Sequence, residues 1–180
     1  DPFDSALWEK TSGVGSRDKF RIRIYNYSDS AIKLERKHKE GQFIKKDSVS
    51  ISRDDCEQIM RGRFECLKHN DDPFAMQFYG IFVSNHLRPK VLVDYTREPY
   101  VFAAEDVRIT FDKNVRTAMR CTDLFNPYAV TYPVWELRNC MILEVKFNES
   151  LPQYVQELLT LGASQRTAAS KYVFCRQYEF

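Results

Sequence analysis

The fold prediction starts from one short stretch near the beginning of the sequence, Lys19-Phe20-Arg21-Ile22-Arg23-Ile24-Tyr25. Apolar side chains alternate here with cationic ones, which is the two-residue period of a strand with one apolar face and one polar face. Arg21 and Arg23 therefore lie together on the polar face of the predicted strand. The apolar face must be buried against other elements of the fold.

The next two segments continue this pattern and predict a sheet of three strands. Residues 31–39 alternate after a turn at 28–30, and residues 43–51 follow a second turn that Gly41 permits. The polar face of the middle strand carries Lys33, Glu35, Lys37 and Lys39. In the third strand, Lys45 and Lys46 are adjacent, so only one of them can share that face. The result is an antiparallel meander with one strongly basic face.

Helices and further strands are predicted along the rest of the chain. Ser52 is a suitable N-cap for a helix at 53–61, and helices are also predicted at 73–86, which should be largely buried, and between Ser150 and Gly162. Strands are predicted at 90–97, 106–112, 143–147 and 171–178, with mostly loop at 113–137. Their polar positions include Arg97, Arg108, Glu144, Lys146 and Lys171. No internal repeat is evident, so residues 1–180 are predicted to form one domain.

Composition narrows the class of protein. A chain of 180 residues with 43% apolar residues can bury one sizeable core, and no stretch is apolar enough to span a membrane. The first residues lack the features of a secretory signal, so a cytoplasmic location is expected. The five cysteines are odd in number and contain no C-x-x-C pair, which favours reduced thiols over disulfides or a zinc site. A net charge of +2 gives no indication of a specific nucleic-acid partner.

The repeated basic faces have two explanations. A solvated charged face is ordinary for any single strand of an antiparallel sheet. Cations that recur over many strands repel one another, however, and this repetition favours an external anion as their partner. Helices that cover the apolar side would leave the basic side lining the bore of a barrel. The predicted fold is therefore α+β, an antiparallel β-barrel that forms a tunnel, with helices on the outside.

A series of short motifs occurs in order along nearly the whole chain. They are Lys19–Tyr25, Ile32–Lys37, Lys45-Lys46, Arg88-Pro89, Tyr95-Thr96-Arg97, Val107–Asp112, Leu143-Glu144-Val145-Lys146 and Ser170-Lys171-Tyr172. Each is common by itself, but their order and spacing resemble the vacuolar-transporter-chaperone type polyphosphate polymerase domain of the triphosphate tunnel metalloenzyme superfamily. That family begins with a charged strand that would lie before Asp1. The resemblance therefore implies a tunnel domain that is truncated at its N-terminus and lacks its first strand or strands.

The resemblance also implies roles for individual residues. The expected ligands of ATP, triphosphate or polyphosphate are Arg21, Arg23, Lys37, Lys45, Arg97, Arg108 and Lys146. Lys45 is chosen over Lys46 by analogy of spacing alone. Glu144 resembles the acidic residue that holds Mn²⁺ or Mg²⁺, and Lys171 resembles a basic residue near the scissile phosphate. Lys37, Arg97, Glu144 and Lys171 are thus the expected catalytic set. Glu35 is expected to pair with Lys33 or Lys37, the alternatives being a second metal ligand or a water-orienting group.

Three functions are compatible with these residues. A metal-dependent polymerase would pass the γ-phosphoryl group of ATP to a polyphosphate chain, whereas a triphosphatase would pass it to water. A noncatalytic module would bind polyphosphate or inositol phosphates without turnover. The resemblance favours the polymerase. The oligomeric state and the choice between the two metals stay open.

Overall fold

The structure, a computed structural model, describes residues 1–119, 121, 123–160 and 167–177. It is a mixed α+β structure with two antiparallel sheets, which confirms the predicted class. The described residues divide into two compact units. The first holds those of 1–92 and 119–130, and the second holds those of 93–118 and 131–178. The closed barrel and the single tunnel domain stay predictions.

The first unit contains the predicted meander. Strands β1 (Ser16–Tyr25), β2 (Ser28–Glu40) and β3 (Phe43–Ser50) pair antiparallel in that order. Helix α1 (Ser5–Thr11) precedes them. Helix α2 (Arg53–Met60) begins at a capping box formed by Ser52 and Asp55, a 3₁₀ helix spans Glu65–His69, and helix α3 spans Pro73–Ser84. The three-strand meander and both predicted helices of this unit are confirmed.

The core of the first unit lies between the apolar face of the sheet and the helices. Leu34 and Val49 from the sheet are buried with Phe78 and Phe82 from α3. The ring of Phe20 meets Phe78 and Phe82 edge to face at centroid distances of 5.7 and 5.1 Å. Because the helices cover this face, the side chains that alternate with it, including Arg21 and Arg23, lie on the other side of the sheet.

Helix α3 is less buried than the sequence predicts. Ala75, Phe78 and Phe82 are buried, but Met76 and Val83 are exposed. The buried residues recur at helical spacing, so one side of α3 faces the core and the other faces outward. A mostly apolar sequence therefore forms a helix that is buried on only one side.

The second unit is built on the long strand β5 (Val107–Met119). Strand β4 (Val91–Phe102) pairs with one side of β5, and strands β6 (Tyr132–Pro133) and β7 (Ile142–Lys146) also pair with it. Helix α4 (Gln153–Leu158) supplies Val155, which packs with Val107 and Ile109 of β5. The last described helix is α5 (Lys171–Arg176). Short 3₁₀ helices span Ala103–Glu105 and Trp135–Leu137.

The predicted strand at 171–178 is wrong for residues 171–176, which form α5. Alternation over six residues is weak evidence, and tertiary contacts decide the outcome. The Cys175 thiol is buried, and its backbone oxygen accepts a hydrogen bond of 3.2 Å from Thr117 Oγ1. Tyr178 lies outside the described residues.

Two other boundaries differ from the sequence prediction. Strand β5 continues to Met119, and β6 and a 3₁₀ helix follow, so the loop prediction for 113–137 is wrong at 113–119, 132–133 and 135–137, whereas the described residues of 121–131 form neither helix nor strand. Helix α4 begins at Gln153 after Pro152 and does not begin at Ser150. Its predicted end at Gly162 lies outside the described residues. Within the described part of the chain, no helix is long and apolar enough to cross a membrane.

Candidate phosphate-binding site

One face of the β1–β2–β3 sheet carries a dense set of cations, which we call the cationic face. The register places the following residues on it: Arg17, Lys19, Arg21, Arg23, Lys33, Lys37, Lys39 and Lys46, together with one acid, Glu35. Eight cations thus share a face with a single carboxylate. Such a surface has a positive potential and attracts polyanions.

Glu35 is bound by two arginines of the neighbouring strand. Its Oε2 accepts a hydrogen bond of 2.7 Å from Arg21 Nε, and its Oε1 lies 2.5 Å from Arg23 Nη2. The expected pairing with Lys33 or Lys37 is therefore wrong, because the register puts Arg21 directly opposite Glu35. Lys33 instead donates to Ser50 at 2.6 Å. One carboxylate between two guanidiniums leaves the group positively charged.

The choice of Lys45 for the cationic face is also wrong. Lys46 lies opposite Lys37 and shares that face, whereas Lys45 lies opposite His38 on the other face. Lys45 Nζ is 3.6 Å from Asp47 Oδ1 and 5.6 Å from the centroid of the Phe74 ring. Asp47 is buried and also binds Arg36. The face that carries Lys45 and Asp47 packs on the helices. Lys46, on the cationic face, is therefore the better candidate for a phosphate ligand.

In the second unit, one buried carboxylate organises the charged residues. Asp112 of β5 has no exposed surface and accepts two hydrogen bonds from Arg97 of β4, from Nε at 2.6 Å and from Nη2 at 2.8 Å. Lys171 Nζ of α5 also contacts Asp112 Oδ2. Both cations lie over the ring of Tyr95, at 5.4 and 4.8 Å from its centroid. We call Asp112 with Arg97 and Lys171 the Asp112 anchor.

The ion pair between Asp112 and Arg97 shifts the pKa values of both groups. Burial by itself would raise the pKa of Asp112, but the hydrogen bonds and charges of Arg97 and Lys171 outweigh it and hold that pKa below the ordinary range of a carboxyl. The hydrogen bond to Asp112 in turn raises the pKa of Arg97. Both groups are therefore charged at neutral pH.

Glu144 of β7 stands beside this anchor. Its carboxylate lies 3.1 Å from Lys146 Nζ and 3.6 Å from Arg97 Nη2. Partial burial would raise the pKa of Glu144, but the hydrogen bond and charge of Lys146, with the charges of Arg97 and Lys171, lower it overall. The side chain is 39% exposed, so an ionised carboxylate is open to an incoming ligand.

Glu144 could bind a divalent cation together with the phosphates of a substrate. The described residues contain no group of three His, Cys, Asp or Glu side chains that could hold a metal ion. Mg²⁺ is commonly held by one or two carboxylates together with substrate phosphates and water, without an all-protein cage. A single exposed carboxylate between cations that attract phosphate fits that mode of binding.

The register of β5 and β7 brings most of the predicted second-unit residues together. Arg108 is opposite Lys146, and Thr110 is opposite Glu144, on the face that also carries Asp112. Arg21, Arg23 and Lys37 share the cationic face of the first unit. That both faces line one bore stays a prediction, as do the individual phosphate-binding roles.

Sequence reasoning gave no role to Asp112 or Thr110. The signal was present, because Arg108, Thr110 and Asp112 occupy alternate positions of one strand and must share its polar face. An acid that shares a strand face with cations can form ion pairs with them. The pattern does not reveal that the acid is buried, since that depends on β4 and α5.

Comparison with known proteins identifies one family. A family model described as the VTC domain matches residues 1–180. No curated protein and no solved structure matches significantly.

Replacing the anchor's carboxylate tests its importance. We expect Asp112→Asn to lower the free energy of unfolding at pH 7 by about 3 kcal/mol, because it leaves two partly buried cations without their counter-ion. The folded-state pKa of Asp112 is lowered, so this stabilisation is complete above the unfolded pKa of about 3.9 and is lost as the pH falls through the folded value. Urea unfolding of parent and variant should therefore converge in acid.

Glu98→Gln is the matched control for this substitution. Glu98 and Lys113 also join β4 to β5, at 2.7 Å, but the Glu98 side chain is 44% exposed. Its loss should change the free energy of unfolding by less than about 1 kcal/mol. Equal effects of the two substitutions, or no convergence in acid, would show that Asp112 is not an anchor.

Proposed function

The chain belongs to the VTC domain family, a polyphosphate-polymerase and CYTH-like family, and from this membership we propose that it transfers the γ-phosphoryl group of ATP to a polyphosphate chain. A VTC domain implies the binding of phosphate ligands in general. The observation that carries the proposal is the Asp112 anchor, which fixes Arg97 and Lys171 beside the ionised Glu144. Fixed cations next to an exposed carboxylate suit a metal-bound phosphate chain.

The proposed reaction needs positioning and charge stabilisation more than covalent chemistry. A terminal oxygen of the polyphosphate chain attacks the γ-phosphorus of ATP, and ADP leaves with the electrons of the broken bond. Negative charge builds on the transferring phosphoryl oxygens and on the leaving group. Arg97 and Lys171 suit this charge because the anchor already holds them in place, so they need little rearrangement during the reaction.

Two further cations of the second unit suit the phosphates next to that phosphoryl group. Arginine binds two phosphate oxygens with its planar fork, and lysine supplies a compact charge. Arg108 and Lys146 occupy neighbouring positions on β5 and β7. Considered separately, the cationic face of the first unit offers Arg21, Arg23 and Lys46 as candidates for binding phosphate. Glu144 would hold Mg²⁺ or Mn²⁺, which would offset negative charge on the phosphate oxygens.

A product assay tests the proposal directly. We expect the full protein, incubated with ATP and Mn²⁺, to form polyphosphate together with ADP. Free phosphate without polymer would show that water is the acceptor and that the protein is a triphosphatase. Neither product, with triphosphate still bound, would indicate a noncatalytic binding module. Each of these last two outcomes would refute the polymerase proposal.

Glu144→Gln separates turnover from binding. The change keeps the shape of the side chain but removes the carboxylate charge, so we expect polymer formation to fall at least about 100-fold, while triphosphate binding without metal is largely retained. Glu98→Gln serves as the control, because Glu98 is also a partly exposed carboxylate paired with a lysine. Undiminished turnover of Glu144→Gln with Mn²⁺ would contradict the metal-binding role of Glu144.

Two adjacent lysines test the cationic face. A ligand at about a hundred times its dissociation constant stabilises the native state by about 2.7 kcal/mol, so triphosphate should raise the melting temperature. Lys46→Ala should weaken triphosphate affinity about five- to tenfold and reduce that rise, because it removes one charge-assisted phosphate contact. Lys45→Ala should leave the rise unchanged, since Lys45 lies on the opposite face.

The melts need a salt control. Sulfate at equal ionic strength should stabilise the parent much less than triphosphate does, because it cannot span several cations. Equal stabilisation by sulfate, or equal responses of Lys45→Ala and Lys46→Ala, would mean that the cationic face is a solvated surface and not a binding site.

A further inference from the structure

Thr110 presents a buried hydroxyl at the centre of the charged face of β5. The residue is 2% exposed, and its Oγ1 has no hydrogen-bond partner among the residues that the structure describes. Its neighbours on the same face of the strand are Arg108 and Asp112, and Glu144 lies directly opposite it on β7. The hydroxyl is thus surrounded by the groups of the candidate site.

An unpaired buried hydroxyl is energetically unfavourable. Such a group has lost its hydrogen bonds to water and has gained none in the protein. The same strand shows the usual solution at Thr117, which is also buried and donates a hydrogen bond of 3.2 Å to the backbone oxygen of Cys175. Valine would fill nearly the same volume as Thr110 without this penalty. Packing alone therefore gives no reason for a hydroxyl at this position.

A hydrogen-bond acceptor within reach of the Thr110 hydroxyl is the carboxylate of Glu144 on the neighbouring strand β7. Side chains directly opposite on antiparallel strands have Cβ atoms about 4.5–5.5 Å apart, so a threonine hydroxyl can reach a facing glutamate after a change of rotamer. In the structure, the Glu144 carboxylate forms ion pairs with Lys146 and Arg97. Lys146 is 51% exposed, so a phosphate can draw it away at little cost.

We infer that Thr110 is a positioning residue, whose hydroxyl donates a hydrogen bond to the Glu144 carboxylate when phosphate engages Lys146 and Arg97. The inference rests on the proposed function, because it requires phosphate to bind at this face. Glu144 exchanges its cationic partners for the neutral hydroxyl and so keeps one oxygen oriented while the other faces a divalent cation. Groups that orient a metal-binding side chain in this way contribute about 10- to 100-fold to metal affinity or activity.

Thermal melts of the full chain with triphosphate, in EDTA and in excess Mg²⁺, test this inference. Thr110→Val removes an unpaired hydroxyl, so the free protein should be no less stable than the parent. The additional rise in melting temperature that Mg²⁺ gives with triphosphate should be mostly lost in Thr110→Val and restored in Thr110→Ser. The response to triphosphate in EDTA should stay unchanged.

Thr117→Val is the matched control on the same strand. It removes a hydroxyl that already has a partner, so it should destabilise the free protein but leave the Mg²⁺-dependent rise intact. The inference is overturned if Thr110→Val destabilises the free protein as Thr117→Val does, or if it keeps the full Mg²⁺-dependent rise. A loss that is equal in EDTA would also overturn it, because Thr110 would then contact phosphate directly.

The parent protein distinguishes this inference from the proposed function. If the parent gains no stability from triphosphate in either buffer, phosphate binding itself fails, and both are refuted. If the parent responds and Thr110→Val responds equally, only the role of Thr110 is refuted. A kinetic readout gives the same separation: the Mg²⁺ concentration for half-maximal turnover should rise about tenfold in Thr110→Val, with KM for ATP little changed.

Discussion

The candidate site in the second unit depends on one buried carboxylate. Removing Asp112 from water is unfavourable, and the fold tolerates it because Arg97 and Lys171 satisfy both of its oxygens. These two cations come from β4 and α5, so the ion pairs connect the neighbouring strands β4 and β5 to a helix that follows about 50 residues later in the sequence. The positions of Arg97 and Lys171 are therefore set by the folded core and do not require a ligand.

The sheet of the first unit has charged residues of two kinds: those paired within the buried face, and those on the cationic face that a ligand could contact. In the first unit, Asp47 is buried on the apolar face and binds Arg36, whereas the register places eight cations and the carboxylate of Glu35 on the cationic face. Arg36 and Arg21 are thus chemically alike but differ in role, because alternation places them on opposite faces. A sheet of this kind is closed on one side by apolar packing and left strongly positive on the other.

The sequence predicts the alternation within each strand more reliably than the register between neighbouring strands. The alternation around Arg21 and Arg23 was sufficient to predict the meander and the face that they share. It was not sufficient to choose between Lys45 and Lys46, since a shift of one residue in register moves every side chain to the other face. The partner of Glu35 depended on the same register. Residues 171–176 were mispredicted for a different reason, because contacts between Cys175 and Thr117 override a short alternating pattern.

The burial of each acid indicates how its cations can respond to a phosphate chain. The Glu144 side chain is 39% exposed and that of Lys146 is 51% exposed, so this pair exchanges partners at a cost of about 1 kcal/mol or less. The Glu35 side chain is only 16% exposed and is held by two arginines, so its pairs are more costly to break. Asp112 has no exposed surface, and breaking its pairs would leave an uncompensated buried charge. Under the proposed function, a phosphate in the second unit would compete with Glu144 for Lys146, but it would have to approach Arg97 and Lys171 while they remain bound to Asp112. Within the second unit, the candidate site thus combines one exposed cation, Lys146, with two cations that Asp112 holds in position.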